Sequence, residues 1–120
     1  MKYLVTGGAG FIGHRIAQDL VSLGAHVRVI DNLSRGQHDL DSLKDLGIKF
    51  FEFDIRNYDD IAPTFGGVDY VFHLAGIADI VPSITNPNNY FQTNVKGTLN
   101  ILEASKKVGI KKFIYAASAS

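Results

Sequence analysis

The stretch TGGAGFIG, residues 6–13, decides the fold, because it carries the chain from an apolar strand into an amphipathic helix. The strand is the short run KYLVT at residues 2–6. From Phe11 onward the apolar residues recur at helical spacing, and Gly24 stands where a helix-terminating glycine is expected. The residues predicted to face the core from this helix are Ile12, Ile16, Leu20 and Leu23. A strand that turns through glycines into a helix predicts the start of a β-α-β unit.

The same alternation of strand and helix continues along the rest of the sequence. Strand patterns span residues 25–31, 48–54, 68–76 and 111–117, and helical patterns span residues 39–47 and about 89–108. The longest helix is expected to face the sheet with Phe91, Val95, Leu99 and Leu102. Strands that alternate with helices form parallel sheets through right-handed crossovers. The sequence therefore predicts an α/β fold of Rossmann type, a doubly wound parallel sheet of five strands in the order 3-2-1-4-5 with helices on both faces.

Length and composition indicate one ordinary globular domain and argue against several classes of protein. The 120 residues include 46% hydrophobic and 20% charged residues, with a formal net charge of +0. A zero net charge argues against nucleic-acid binding, and no apolar run approaches the ~18 residues of a membrane span. The chain has no cysteine for a thiolate metal site, and its four histidines are too scattered to predict a metal. We therefore expect a cytoplasmic protein without a nucleic-acid or membrane partner.

The glycine-rich stretch is also the first candidate binding site. Gly7, Gly10 and Gly13 suit a tight turn, the close approach of a pyrophosphate to the backbone, and the close packing of a helix on a strand. Asp31 stands at the end of the second strand, where a carboxylate accepts hydrogen bonds from ribose hydroxyls. A carboxylate there repels a 2′-phosphate, so the pattern predicts NAD rather than NADP, although the nearby Arg35 reduces this preference. The weaker alternative is that Asp31 only caps the turn that follows the strand.

Other residues near strand ends are weaker candidates for the same crevice. Asp54 either lies at its adenine edge or caps the turn after the third strand. Ala75 and Gly76 are small enough for a cofactor to pass over the backbone, whereas His73 is interpreted as a packed strand residue. Asn94, on the longest helix, either makes a specific hydrogen bond or lies on the solvent face.

Several stretches together resemble the extended short-chain dehydrogenase/reductase family, and most of all its UDP-glucose 4-epimerase-like members. They are TGGAGFIG, DNLSRG, FDIRN, HLAG, SITNPNNYFQTNVKGTLNILEA and KKFIYAASAS, in the family's order from Met1 to Ser120. This family includes NAD-dependent sugar-nucleotide epimerases and dehydratases. The resemblance implies an NAD site formed by Gly7, Gly10, Phe11, Ile12, Gly13, Asp31, Asn32, Asp54, Ile55, Leu74, Ala75, Gly76 and Asn94.

The resemblance also implies the chemistry of a nucleotide-sugar 4-epimerase. In that family NAD takes a hydride from a sugar carbon to give a keto-sugar intermediate, and hydride return to the other face gives the epimer. Ser118 matches the catalytic serine that hydrogen-bonds the reacting hydroxyl, and the implied substrate contacts are Ala78, Ser118 and Ser120. The implied substrate is a UDP-sugar, and the full-length enzyme is expected to be a homodimer.

Two departures from the family's pattern qualify this expectation. The family's tyrosine with a lysine four residues later is absent, since none of the five tyrosines has a lysine at that spacing. Ile77, Ala78 and Asp79 stand where the dehydratases tend to carry polar Ser and His, which argues against a dehydratase and leaves the identity of the sugar open. We therefore expect residues 1–120 to be the NAD-binding portion of a longer enzyme, inactive without the C-terminal substrate-binding part. The alternatives are a dehydratase or reductase of the same family and a non-catalytic dinucleotide-binding regulatory module.

Overall fold

The computed structural model of the chain describes residues 1–8, 11–33, 40–74, 88 and 92–115. Its strands are β1 (Lys2–Thr6), β2 (His26–Ile30), β3 (Lys49–Phe51), β4 (Tyr70–His73) and β5 (Lys112–Tyr115). Its α-helices are α1 (Phe11–Ser22), α2 (Leu40–Asp45), α3 (Tyr58–Ile61) and α4 (Gly97–Val108). A 3-10 helix, Ala62–Phe65, follows α3, and a π-helical turn, Gln92–Lys96, leads into α4. The predicted alternation of strand and helix is confirmed.

The five strands form one parallel sheet in the order β3-β2-β1-β4-β5, as predicted. Strand β1 is central, because Lys2–Thr6 pairs with His26–Ile30 on one side and Tyr3–Thr6 pairs with Tyr70–His73 on the other. The strand order reverses at β1, since the chain first moves outward to β3 and then returns to β4. In doubly wound folds, ligands bind beyond the carboxyl ends of the strands at such a reversal.

Helices cover both faces of the sheet, because alternate residues of a strand point to opposite faces. Leu4 of β1 belongs to one core cluster, which it shares with Ile101 and Ala104 of α4. The next residue, Val5, belongs to a second cluster with Ala17 of α1 and Leu43 of α2. The apolar composition of β1 therefore reflects burial on both faces.

Helix α4 turns a different face to the sheet from the one predicted. Its buried residues are Gly97, Ile101, Ala104 and Ser105. Of the residues expected to face inward, Val95, Leu99 and Leu102 are 45%, 58% and 42% exposed, and Phe91 lies outside the described residues. The reason is steric, because a Cβ at Gly97 would lie only 2.5 Å from Ile55 Cδ1. So close an approach requires a residue without a side chain at position 97, and it turns the face of Gly97, Ile101 and Ala104 to the sheet.

Helix α1 also packs through small residues. Gly13 and Ala17 are buried, and Ile16 and Leu20 are half-buried. The predicted inner face is wrong at its two ends, where Ile12 and Leu23 are 66% and 84% exposed. Gly13 sets the first turn of the helix against the residues after β1, and this contact, described below, determines which side of α1 faces inward.

Candidate cofactor site

Backbone hydrogen bonds hold the carboxyl ends of neighbouring strands level at one edge of the sheet. These N–H to carbonyl bonds run from Gly7 to Ile30 (2.7 Å), from Asp31 to Phe51 (3.1 Å) and from Leu74 to Thr6 (3.1 Å). Each donor is the first residue after its own strand. The structure therefore brings the candidates Gly7, Asp31 and Leu74 to the same edge of the sheet.

Two glycines of the TGGAGFIG stretch form the contact between α1 and the end of β1. Gly7 has φ 75°, a left-handed conformation that residues with a Cβ rarely adopt. A Cβ at Gly13 would lie 2.2 Å from the Gly7 carbonyl oxygen and 2.8 Å from Gly8 Cα. This contact has no space for a side chain, so it requires glycine at position 13. Gly10 lies outside the described residues.

Gly8 also has no space for a side chain, and the sequence reasoning did not single it out. A Cβ at Gly8 would lie 2.6 Å from Cγ2 and 2.7 Å from Cγ1 of Val29. The available signal was the doublet Gly7-Gly8, because a single turn after a strand needs only one glycine. Gly8 allows the chain leaving β1 to pass directly over β2.

The start of α1 has the properties of a phosphate-binding site. The helix is 12 residues long, begins at Phe11 directly after the glycine stretch, and has no acidic side chain in its first turn. Its first N–H groups have no partner within the helix, and they carry the positive end of the helix dipole. These donors, beside glycines that keep side chains away, fit the pyrophosphate of a dinucleotide.

Asp31 organises the turn that follows β2. The side chain is half-buried, and its Oδ1 accepts a hydrogen bond from the Leu33 N–H at 2.8 Å. Leu33 has φ 61°, a conformation that costs a residue with a Cβ about 1–2 kcal/mol. Asn32, between them, is exposed. The Asp31 carboxylate thus supports a strained turn at the edge of the sheet where a ribose is expected.

Asp54 organises the turn that follows β3, as one of its two interpretations predicted. Its carboxylate accepts hydrogen bonds from the Arg56 backbone N–H at 2.9 Å and from Arg56 Nε at 2.9 and 3.0 Å. Its backbone carbonyl accepts the Asn57 N–H at 3.0 Å. The hydrogen bonds from the Arg56 side chain lower the pKa of the Asp54 carboxyl below its usual value. The turn role is confirmed, and the adenine role stays a prediction.

His73 joins the two central strands to helix α4. Its side chain is 1% exposed, with Nδ1 2.6 Å from Thr6 Oγ1 and Nε2 2.8 Å from Thr98 Oγ1. Thr6 Oγ1 also accepts the Leu74 N–H at 3.0 Å. Burial lowers the pKa of the His73 imidazole from its usual 6.5 to about 4, so the ring is neutral at physiological pH. The interpretation of His73 as a packed strand residue is confirmed.

The remaining candidates divide into those the structure describes and those it does not. Ile55 is buried, and Asn94 is half-buried in the π-helical turn. Ile12 is exposed in the first turn of α1. Five further candidates lie, like Gly10, outside the described residues: Ala75, Gly76, Ala78, Ser118 and Ser120.

Two residues of α4 that contact the turn after β3 were missed at the level of sequence. Gly97 packs against Ile55, and Asn100 Nδ2 donates to the carbonyl oxygens of Ile55 and Arg56, each at 3.0 Å. Their signal was the presence, three residues apart inside one helix, of a glycine and an asparagine. Both residue types are unfavourable in helix interiors and often mark a specific contact there.

The described ranges hold neither a group of metal-ligating side chains nor a helix suited to crossing a membrane. No three histidine, aspartate or glutamate side chains within those ranges are grouped to hold a metal ion. No helix of the described part of the chain has both the length and the apolar composition that crossing a bilayer requires.

Comparison with protein families covers nearly all of these residues. The model of the NAD dependent epimerase/dehydratase family matches residues 3–120. The chain belongs to this family. Membership confirms the family predicted from the glycine stretch and the strand-end motifs, and it agrees with the Rossmann-type sheet described above.

Individual members of the NAD dependent epimerase/dehydratase family show how far the similarity extends. A UDP-glucose 4-epimerase of Streptomyces lividans is 37% identical over 122 residues, which cover 99% of this chain and 36% of that protein. The Thermotoga maritima UDP-glucose 4-epimerase, solved with UDP-glucose, matches with a TM-score of 0.88 and 40% identity over 96% of this chain and 37% of that one. The Thermus thermophilus UDP-glucose 4-epimerase, solved with NAD, gives 0.82 and 36% identity over 94% and 36%. The chain thus spans little more than a third of the length of these relatives.

Proposed function

We propose that this chain is the N-terminal, NAD-binding portion of a nucleotide-sugar 4-epimerase. The observation that carries the proposal is the contact between Gly7 and Gly13 at the start of α1, with Asp31 following the neighbouring strand. Family membership and the names of the relatives support the class of reaction.

In this proposal the cofactor lies along the carboxyl edge of the sheet. The glycine stretch and the first turn of α1 bind the pyrophosphate, and Asp31 with Asn32 binds the adenosine ribose. Asp54 and Ile55 form the adenine side, and the residues after β4 form the nicotinamide side together with Asn94. When bound, NAD supplies an acceptor and donor of hydride for a sugar carbon.

The substrate side of the proposal depends on residues that follow β4 and β5. Ser118 would hydrogen-bond the reacting sugar hydroxyl, and Ala78 and Ser120 would contact the UDP-sugar. An unactivated serine hydroxyl is a poor proton acceptor at neutral pH, so the hydroxyl proton needs a separate general base, which contributes about 10²–10⁴-fold to such a step. This sequence has no tyrosine followed four residues later by lysine, so we expect the 120-residue chain to bind NAD without turnover.

The cofactor proposal is tested by comparing NAD with NADP in calorimetric titrations. The wild-type chain should bind NAD more tightly, and Asp31→Ala should weaken NAD binding about tenfold or more, because a hydrogen bond to a charged group contributes about 1.5–3 kcal/mol. NADP binding should change less, since its 2′-phosphate gains from loss of the carboxylate. Asp60→Ala, at an exposed aspartate of α3, is the control and should change neither affinity. Equal or tighter NADP binding by the wild type would contradict the assignment of Asp31.

The reaction class is tested on the protein expressed from its full reading frame. Incubation with UDP-sugars should give the 4-epimer, identified by chromatography and NMR of the product. An unsaturated or deoxygenated keto-sugar would instead indicate a dehydratase. Tight NAD binding without any product from a panel of nucleotide sugars would favour a regulatory module. In that longer protein Ser118→Ala should lower kcat by orders of magnitude and leave NAD occupancy intact.

We also propose that the longer enzyme is a homodimer that uses the outer side of α4 and of the π-helical turn before it. Val95, Leu99 and Leu102 follow one another at helical spacing and are 45%, 58% and 42% exposed. Contiguous exposed apolar residues of this kind mark surfaces of association. The cytoplasmic location expected from the sequence stays a prediction, which fractionation of expressing cells would test.

A further inference from the structure

Asn100 attaches the turn after β3 to helix α4. Its Nδ2 donates hydrogen bonds to the carbonyl oxygens of Ile55 and Arg56, each at 3.0 Å. The residue lies inside α4 and is half-buried. Asparagine is unfavourable within a helix, because its short side chain competes with the backbone for hydrogen bonds. Here the amide instead satisfies two carbonyl groups of a separate segment, 45 and 44 residues away in sequence.

The hydrogen bonds of the Asp54 carboxylate have a different role from those of Asn100. They come from Arg56, two residues along the chain, and the Asp54 carbonyl accepts the N–H of Asn57. Bonds between such near neighbours fix the shape of the turn. They do not fix its position relative to the sheet and the helices, whereas the Asn100 bonds do.

Gly97 supplies the apolar half of the same attachment. A Cβ there would lie 2.5 Å from Cδ1 and 2.6 Å from Cγ1 of Ile55, which is itself only 4% exposed. The α4 backbone therefore lies directly against the Ile55 side chain while Asn100 binds the Ile55 carbonyl. The side chain and the main chain of one residue are held by two positions of α4 that share a helical face.

The same helix also contacts the opposite side of the crevice. Thr98, between Gly97 and Asn100 in sequence, lies 2.8 Å from Nε2 of His73, the last residue of β4. Helix α4 thus connects the end of β4, at the nicotinamide side of the proposed site, with the turn that carries Asp54. A change at Asn100 removes the hydrogen bonds of the connection to the turn and leaves the Gly97–Ile55 and Thr98–His73 contacts in place.

We propose that Asn100 is a positioning residue for adenine recognition: it holds Ile55 and Arg56 so that the Asp54 carboxylate meets the amino group of the adenine. This inference rests on the proposed NAD-binding function and adds to it a residue that contacts neither cofactor nor substrate. It predicts that Asn100 affects the discrimination between adenine and a purine without that amino group. A residue with a purely structural role would affect both purines alike.

The experiment compares NAD with nicotinamide hypoxanthine dinucleotide, in which a carbonyl replaces the adenine amino group, by calorimetric titration of the 120-residue chain. The wild type should prefer NAD. Asn100→Leu and the isosteric Asn100→Asp should weaken NAD binding about tenfold, because two hydrogen bonds are lost, and should change binding of the analogue less than about twofold. Ser105→Ala is the control, since that hydroxyl donates only within α4, to the Ile101 carbonyl at 2.7 Å. It should leave the ratio of the two affinities unchanged.

A second measurement tests the attachment without any cofactor. Hydrogen exchange of the Arg56 and Asn57 amides should accelerate in Asn100→Leu and in Asn100→Asp, because the turn gains freedom to open, and should not accelerate in Ser105→Ala. Unchanged exchange, or a ratio of affinities that stays at the wild-type value, would overturn the role of Asn100. A wild-type chain that binds neither dinucleotide would overturn the proposed function instead, and with it the adenine assignment.

Discussion

Substitution of Gly13 by alanine would place one methyl group in the contact between α1 and the residues after β1. The added Cβ would lie 2.2 Å from the Gly7 carbonyl oxygen, 2.8 Å from the Gly7 carbonyl carbon and 2.8 Å from Gly8 Cα. All three neighbours are backbone atoms, which cannot rotate aside as the end of a long side chain can. Overpacking typically costs about 1–3 kcal/mol, and we expect a loss of about 3 kcal/mol in the free energy of unfolding.

Helix propensity and steric overlap predict opposite signs for the change in the free energy of unfolding of Gly13→Ala. Inside a helix, alanine is otherwise favoured over glycine by about 1 kcal/mol, so the substitution would be stabilising without the steric overlap. Gly66→Ala is a matched control. Gly66 has φ −57°, and the nearest atom to an added Cβ is the Pro63 carbonyl oxygen at 3.8 Å. That variant should be as stable as the wild type or more stable by about 0.4–1 kcal/mol.

Urea unfolding followed by circular dichroism measures both variants. With a urea m-value of about 1–3 kcal/mol/M, a loss of about 3 kcal/mol lowers the unfolding midpoint by about 1–3 M. NAD binding by Gly13→Ala should weaken as well, because the start of α1 is displaced from the end of β1. A Gly13→Ala midpoint equal to or above that of the wild type would refute the close contact and the role of glycine in it.

Three further outcomes are expected from other parts of the structure. His73 is neutral when folded, with its pKa lowered from 6.5 to about 4, whereas the unfolded chain takes up a proton near pH 6.5. The contribution of the neutral His73 ring to the free energy of unfolding should therefore be fully present above pH 6.5 and decrease as the pH falls towards 4. The expected loss between pH 7.5 and 5 is about 2 kcal/mol. Urea titrations at these two pH values should show a smaller loss for His73→Gln. In the longer enzyme, the double variant Leu99→Lys and Leu102→Lys should shift dimer to monomer in sedimentation experiments. Leu23→Lys, at an exposed leucine after α1, is the control and should leave the dimer intact. A stable dimer in the double variant would exclude the outer side of α4 as the interface. Strand β5 is the edge of the described sheet and Tyr115 is 52% exposed, so the 120-residue chain should self-associate and Tyr115→Lys should raise its monomer fraction in light scattering; a wild-type monomer at high concentration would contradict this.

The fold was predictable because its signals are local. The glycine stretch between β1 and α1 occupies eight consecutive positions, and each strand or helix shows its period within a short window. Handedness and connection rules then reduce five alternating units to a few doubly wound orders, of which 3-2-1-4-5 is the one typical of a Rossmann-type glycine stretch. The positions of Gly7 and Asp31 follow from the same logic, since a residue directly after a parallel strand must lie at the carboxyl edge of the sheet.

The contacts of the site were not predictable in the same way, because they join distant segments. Thr6 and His73 are 67 residues apart, and Asn100 is 45 residues from Ile55. Hydrophobic periodicity predicts that a residue belongs to a strand or a helix. The contacts of its side chain depend instead on how that element packs against another one. His73 was interpreted correctly as a packed residue, yet neither of its threonine partners was identified from the sequence.

The sequence by itself determined that strands and helices alternate, that glycines join β1 to α1, and that a carboxylate follows β2, because each of these depends on neighbouring residues. Only the tertiary structure decided which face of α4 is buried. Two stripes were available along α4 and the turn before it, one with Val95, Leu99 and Leu102 and the other with Ile101 between the small residues Gly97 and Ala104. Hydrophobicity favoured the first stripe, but the backbone of α4 lies against Ile55, and only the second stripe leaves room for that approach.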